Sequence, residues 1–211
     1  DVYKRQTEDL MIRWLQYSLF TPLFRNHSAD GTREQELYQF SNVEATGKMI
    51  QIRYSLIPYL YSEFLKAALN DEMMFKPLAF DFPDDAMAEQ VEDQLLLGNE
   101  LMIAPIYKQN AQGRYVYLPE EMMLVRMHSS KDYTTEILPK GHHYVSVGLD
   151  ELVFFIRNQK AIPFAESAEN TARTDYNTIQ LLGYEGSSYE LYADNGTSPN
   201  PEDSLTIKTL S

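Results

Sequence analysis

Cysteine is absent from the 211 residues. Disulfides, zinc thiolates and cysteine nucleophiles are therefore excluded. The absence fits a cytoplasmic location, where disulfides are rare, and that location is the expectation. Basic residues are scarce: 18 Lys and Arg face 31 Asp and Glu, a formal net charge of −13. A nucleic-acid partner needs a basic stripe to neutralise phosphate, so none is expected. An anionic membrane surface is disfavoured for the same reason. No apolar run approaches the ~20 residues of a spanning helix; the longest core-like runs are Leu152–Ile156 and Leu101–Ile106. Neutral ligands such as sugars remain compatible. A starting Met is also missing. The chain opens on Asp1, so it is expected to begin inside a longer reading frame. Residues 1–6, Asp1-Val2-Tyr3-Lys4-Arg5-Gln6, match no pattern around them. They resemble an adapter-derived hexapeptide left at contig ends and are set apart from the fold.

What is present can bury a core. Hydrophobic residues make up 44% of the chain, with 15 Tyr and 10 Phe, so wholesale disorder is excluded. The hydrophobic period changes near residue 72. Residues 7–72 read as helical. Thr7-Glu8-Asp9 is an N-cap with an acidic first turn, followed by Leu10, Met11, Trp14, Leu15 and Ser18 at helical spacing. Pro22 ends that segment, and Leu23-Phe24-Arg25 reads as a short strand. A polar loop follows from His27 to Phe40. Ser41-Asn42-Val43-Glu44 has capping-box spacing, and the next helix is predicted to reach about Leu69. Its predicted apolar stripe is Ile50, Tyr54, Ile57, Tyr61, Phe64 and Ala68, with a kink at Pro58.

Beyond residue 72 the period is two. Strands are predicted at Phe75–Phe82, Gln94–Leu97, Leu101–Ile106, Tyr115–Leu118, Met123–Met127, Tyr133–Leu138, His143–Val147, Leu152–Arg157, Thr178–Gly183 and Ser188–Tyr192. Turn residues between them point to an antiparallel β-sandwich over residues 73–165. Residues 166–211 supply its terminal strands and tail. A helix, one strand and a second helix do not close a core by themselves. That order is what the last unit of a larger α/β domain looks like.

The chain has no GxGxxG, no phosphate loop, no GxSxG elbow and no HExxH. Adjacent His142 and His143 point to opposite faces of a strand, which suits solvated histidines better than a shared metal. No metal site and no cofactor are expected. Asp81, Asp84 and Asp85 flank Pro83 and read as a capping turn, although a retaining glycosidase also needs paired carboxyls about 5 Å apart. Asp194-Asn195-Gly196 reads as a hairpin turn. His27 differs from the other histidines. It follows a short strand end and opens a long polar loop, a position that faces the mouth of a barrel. A loop histidine bonded only to backbone is the simpler alternative.

Around His27 a family pattern emerges. The ordered segments are Arg13-Trp14-Leu15-Gln16, Phe20-Thr21-Pro22-Leu23-Phe24-Arg25-Asn26-His27 and Ile52-Arg53-Tyr54-Ser55-Leu56-Ile57-Pro58-Tyr59-Leu60-Tyr61. Lys76-Pro77-Leu78, Asp93-Gln94, Ala104-Pro105, Tyr117-Leu118-Pro119, Phe155-Ile156-Arg157, Ile162-Pro163 and Glu190-Leu191-Tyr192 follow. The whole resembles glycoside hydrolase family 31 over most of residues 8–196, and α-glucosidases of gut Firmicutes in particular. Gln35-Glu36-Leu37-Tyr38 departs from the family's usual Gln-Glu-Pro-Trp, which puts the linkage preference in doubt.

The resemblance implies a fold and a chemistry. The fold is the last strand and helices of a (β/α)8 barrel, followed by an antiparallel β-sandwich. The chemistry is retaining, exo-acting hydrolysis of α-glucosides or oligosaccharides. The nucleophile and the acid/base, both Asp, are then expected upstream of residue 1. No catalytic residue is assigned to the chain, and the isolated chain is expected to be inactive. Its partner would be the N-terminal part of the same protein. The resemblance gives His27 a hydrogen bond to sugar hydroxyls in the −1 subsite. Arg25 is a supporting residue, expected to brace the strand end by a buried ion pair. Trp14 and Phe24 are expected in the core. The alternative is a non-catalytic carbohydrate-binding or structural β-sandwich module. That alternative needs an exposed aromatic face, and Tyr115, Tyr117, Phe154 and Phe155 read mostly as core.

Overall fold

A computed structural model describes residues 7–27, 29–31 and 35–211; the hexapeptide set apart in the sequence lies outside them. Helix α1 spans Glu8–Ser18, with the Thr7 hydroxyl accepting from the Leu10 amide at 3.4 Å. Met11, Leu15 and Ser18 are buried as expected, and Ile12, Arg13 and Gln16 join them. Trp14 is corrected: it is 57% exposed, because the buried face is rotated one residue away from it. Helix α2 spans Val43–Asn70 and runs on through a buried Pro58. Its N-cap is Asn42, whose side chain accepts from the Ala45 amide at 3.2 Å. The capping box at Ser41 does not form, since the Glu8 carboxylate takes the Ser41 amide and hydroxyl (3.1 and 2.8 Å).

The predicted stripe of α2 is the outer one. Tyr61 and Phe64 are 37% and 46% exposed, while Met49, Ile52, Leu56, Tyr59 and Leu65 form the buried face. Two apolar stripes share this helix, and spacing alone does not rank them.

The strand expected at Leu23–Arg25 is not formed. A strand is held by its neighbours, and among the described residues nothing pairs with 23–25. Strands β1 (Phe75–Pro77), β2 (Leu95–Leu97), β3 (Leu101–Ile103), β4 (Gly113–Leu118), β5 (Met122–Ser129) and β6 (Asp132–Leu138) come next. They are followed by β7 (Gly141–Ser146), β8 (Leu152–Arg157), β9 (Ala161–Phe164), β10 (Gln180–Gly183), β11 (Tyr189–Ala193) and β12 (Thr206–Leu210). All recorded pairings are antiparallel. One sheet has six strands in the order β1-β2-β3-β8-β5-β6, and β9–β10, β11–β12 and β4–β7 are two-stranded ladders. The expected strand Phe75–Phe82 stops at Pro77, and Leu78–Asp81 forms the short helix α3. Pro77 has no amide to extend a ladder, and its ring fixes φ at −58°. Strands β9 and β12 were not anticipated. Pro163 hid the first, and it sits in a two-stranded ladder where a missing donor is tolerated. Asp194–Gly196 does not make a tight hairpin, because β12 returns only at Thr206.

Both faces of the centre of the six-stranded sheet are covered, while the edge strand β6 is largely exposed. On β5, Met123, Val125 and Met127 pack towards Leu15, Phe20, Met49, Ile52 and Leu56 of the helical segment. Met122 and Leu124 point the other way, onto Val116, Leu118 and Val145 of the β4–β7 ladder. Strand β8 alternates likewise, Phe154 and Ile156 against Phe155. The sandwich therefore has an outer layer of two strands, and helices close its opposite side.

Helix α2 is also joined to the sheets by polar contacts. The Tyr59 hydroxyl donates to the Leu97 carbonyl at 2.5 Å. The buried Glu63 carboxylate accepts from the Tyr189 hydroxyl at 2.6 Å and pairs with Lys66 at 2.8 Å. Burial, followed by the nearby Glu63 charge, raises the pKa of Glu100. Burial and the facing carboxylates push the Tyr59 and Tyr189 phenols well above their ordinary value.

Candidate functional site

The segment that carries His27 leaves the end of α1. Its anchor is Arg53 on α2. The Arg53 guanidinium donates to the Leu19 carbonyl, to the Thr21 carbonyl at 2.9 Å and to the Pro22 carbonyl at 3.3 Å. It also lies 4.9 Å from the centroid of the Phe24 ring. Three backbone acceptors converging on one guanidinium fix the path of an irregular segment that no ladder holds. Burial lowers the pKa of Arg53 from its usual value. Thr21 adds a local lock, its hydroxyl meeting the Ser18 and Leu23 carbonyls at 2.6 and 2.8 Å. The Asn26 side-chain amide donates to the Gln35 carbonyl at 2.6 Å and draws the far side of the loop in.

The exposed end of this segment brings Arg25 and His27 together. An Arg25 nitrogen lies 3.1 Å from His27 Nδ1. A guanidinium only donates, so Nδ1 accepts and Nε2 of the neutral ring carries the proton. The buried ion pair expected of Arg25 is corrected: Arg25 is exposed, and its described partner is the imidazole. Phe24 is half-buried against Arg53.

The other candidates are structural. Asp81 pairs with Lys76 at 2.8 Å and with Arg157 at 2.5 Å. Asp85 accepts from the Tyr117 hydroxyl at 2.7 Å and from Lys140 at 2.6 Å, and caps the Met87 amide at 3.0 Å. These partners, Lys140 foremost, hold its pKa far below the usual carboxylate range. The capping-turn interpretation of this cluster stands. His142 packs on the Tyr117 ring with centroids 5.0 Å apart, and His143 Nε2 lies 2.8 Å from the Pro139 carbonyl. Among the described residues no group of three His, Asp or Glu is placed to hold a metal.

Arg53 and Glu8 are structural supports that the sequence did not assign. An arginine between Ile52 and Tyr54 in an apolar helix is a signal of a bound cation, but its acceptors lie more than 30 residues away. Arg53→Ala is expected to lower stability by about 1–2 kcal/mol and to speed amide exchange over residues 19–24. Hydrogen exchange measures this; unchanged protection there would show that the segment holds itself.

Comparison with known proteins places this geometry. Residues 2–63 match the glycosyl hydrolases family 31 TIM-barrel domain, and residues 71–162 match the glycosyl hydrolase family 31 C-terminal domain. The chain belongs to glycoside hydrolase family 31. Alpha-glucosidase 2 of Bacillus thermoamyloliquefaciens is 33% identical over 195 residues, which cover 89% of this chain and 24% of that protein. The alpha-xylosidase of Saccharolobus solfataricus is 30% identical over 196 residues, with 89% and 25% covered. A family 31 dextranase of Flavobacterium johnsoniae, solved with glucose, superposes with a TM-score of 0.76 at 25% identity, over 95% of this chain and 25% of that one. The chain thus spans about a quarter of the length of these family 31 proteins. A barrel-end segment followed by a C-terminal domain is the family 31 arrangement that the two matches describe.

Proposed function

We propose that the chain is the C-terminal portion of a retaining exo-α-glycosidase, an α-glucosidase that releases sugar from the non-reducing end of oligosaccharides. It supplies the closing helices of a (β/α)8 barrel, the 23–25 segment that would pair as its last strand once neighbouring strands are present, and the sandwich that backs them. The Asp nucleophile and Asp acid/base belong to the upstream part of the protein, so the chain alone does not turn over substrate. Two carboxyls about 5 Å apart and water suffice for the retaining reaction, and no cofactor is invoked. A cytoplasmic location accompanies the proposal, on the Cys-free composition.

His27 is assigned the −1 subsite. Its Nε2–H donates to a sugar hydroxyl, and Arg25 fixes the tautomer that makes this possible. A bond that tightens as the sugar ring flattens towards an oxocarbenium ion lowers the barrier rather than merely binding substrate.

The observation that carries this proposal is the outer face of α2. A helix apolar on two sides is built to be covered on two sides. The sandwich covers one, and Tyr61 and Phe64 on the other are more than a third exposed. The upstream barrel is the natural cover. The names of relatives, an α-glucosidase and a dextranase solved with glucose among them, support the substrate class.

The test is hydrolysis of p-nitrophenyl α-glucoside. The chain alone is expected to be silent and the whole enzyme active. In the whole enzyme, His27→Ala is expected to cut kcat/KM by about 1–3 kcal/mol, roughly fivefold to 150-fold. Arg25→Ala should cost less. Clear turnover by the chain alone sinks the division of labour, and unchanged kinetics remove His27 from the site. A carbohydrate-binding sandwich is a second reading, favoured by the exposed tyrosines of β4 and β7.

A further inference from the structure

We propose that the outer face of the β4–β7 ladder is a second saccharide-binding surface, separate from the His27 segment, which takes a neutral α-linked oligosaccharide chain. In this ladder Tyr115 pairs directly with Tyr144, and Tyr117 with His142. Directly opposed residues lie on the same face, so Tyr115, Tyr144 and His142 stand together there, while Tyr117 is buried at 6% exposure beneath them. The Tyr115 and Tyr144 centroids are 5.3 Å apart at 71°. Tyr115 is 73% exposed and Tyr144 57%, which corrects the placement of Tyr115 in the core. Tyr107, also 57% exposed, extends the row from the neighbouring loop.

The face is preformed. The Tyr107 hydroxyl donates to Asp93 Oδ2 at 3.0 Å, and Arg114 pairs with Asp93 Oδ1 at 2.5 Å. Arg114 also donates to the Asp93 and Pro105 carbonyls at 3.0 and 2.7 Å, which locks the guanidinium beside the Tyr107 ring. Two adjoining cavities of about 480 and 350 Å³ share Asp93, Tyr107, Arg114 and Tyr115. Sites for small ligands fall in this size range.

The chemistry selects the occupant. Exposed tyrosine rings offer flat apolar surface to the C–H face of a pyranose. Asp93, Arg114, Glu92 and Gln90 at the rim offer donors and acceptors to its hydroxyls. An apolar helix would strand those charged groups. A polyanion would meet a chain of net charge −13. The choice of an α-glucan over other neutral saccharides rests on the proposed function.

Affinity electrophoresis and calorimetry of the chain with soluble starch and maltoheptaose test the proposal. The chain is expected to be retarded by starch and to bind maltoheptaose. The double variant Tyr115→Ala/Tyr144→Ala should bind at least roughly tenfold more weakly, with unchanged circular dichroism. Tyr115→Phe, which keeps the ring, should bind nearly as well as the parent. No retardation of the parent, or equal retardation of the double variant, would overturn the proposal. Sedimentation showing that the double variant dissolves a dimer would assign the face to a second copy and overturn it too. His27→Ala kinetics in the whole enzyme do not involve this face, so failure here leaves the proposed function standing or falling separately.

Discussion

Replacing Arg13 by Met is expected to cost about 3–5 kcal/mol of unfolding free energy. Arg13 sits on α1 and is 2% exposed. One of its terminal nitrogens donates to Gln16 Oε1 at 3.0 Å and to the Gly148 carbonyl at 2.9 Å. The other donates to the Ala111 and Val147 carbonyls, both at 2.9 Å. Those carbonyls belong to the segment before β4 and the segment after β7, so one guanidinium fastens the helical part to the outer layer of the sandwich. Methionine would fill the volume but donate nothing. The Gly148 carbonyl would keep the Gln16 amide at 2.8 Å, whereas those of Ala111 and Val147 would lose their bond to Arg13. A buried acceptor without a partner costs about 1–3 kcal/mol. Burial already lowers the pKa of Arg13, with Asp9 and Glu151 acting against that. Chemical denaturation of the variant measures the loss. A change below about 1 kcal/mol, within the range of an ordinary surface substitution, would mean that α1 is held by its apolar face alone.

Gly98→Ala is the second large effect, about 3 kcal/mol. Gly98 turns the chain between β2 and β3 with φ at 62°, the left-handed region. A side chain there costs about 1–2 kcal/mol by itself. The added Cβ would also stand 2.1 Å from Glu63 Oε2 and 2.7 Å from the Tyr59 hydroxyl. Glu63 cannot simply swing aside, because it is 3% exposed and held by Tyr189 and Lys66. Overpacking of this kind adds about 1–3 kcal/mol. Gly196 provides the control: its φ is 66°, and an added Cβ there meets nothing within 4 Å. Gly196→Ala should show only the backbone cost. Equal losses at the two positions would mean that the joint between α2 and the sheet yields freely.

These two sites mark where the sequence stopped being legible. Strands β5 and β8 at the centre of the six-stranded sheet were readable because both of their faces are covered, which makes them continuous apolar runs. Helix α2 was readable as a helix, but not its inward side, since two apolar stripes satisfy the same spacing. Its cap slipped by one residue because Glu8, 33 positions away, captures Ser41. Arg13 and Arg53 bind carbonyls that are remote in sequence, and no local pattern marks such a contact. Tyr115 was misplaced because alternation says which side a residue takes, not whether that side is covered. His27 was legible as a loop residue in an ordered set of family motifs. Its pairing with Arg25 follows from a two-residue separation.

The most direct measurement is a structure of the whole enzyme with glucose bound. His27 Nε2 is expected about 3 Å from a hydroxyl of that sugar, with Tyr61 and Phe64 on α2 covered by the upstream barrel. A bound glucose out of reach of His27, or an outer face of α2 left open to water, would contradict the account.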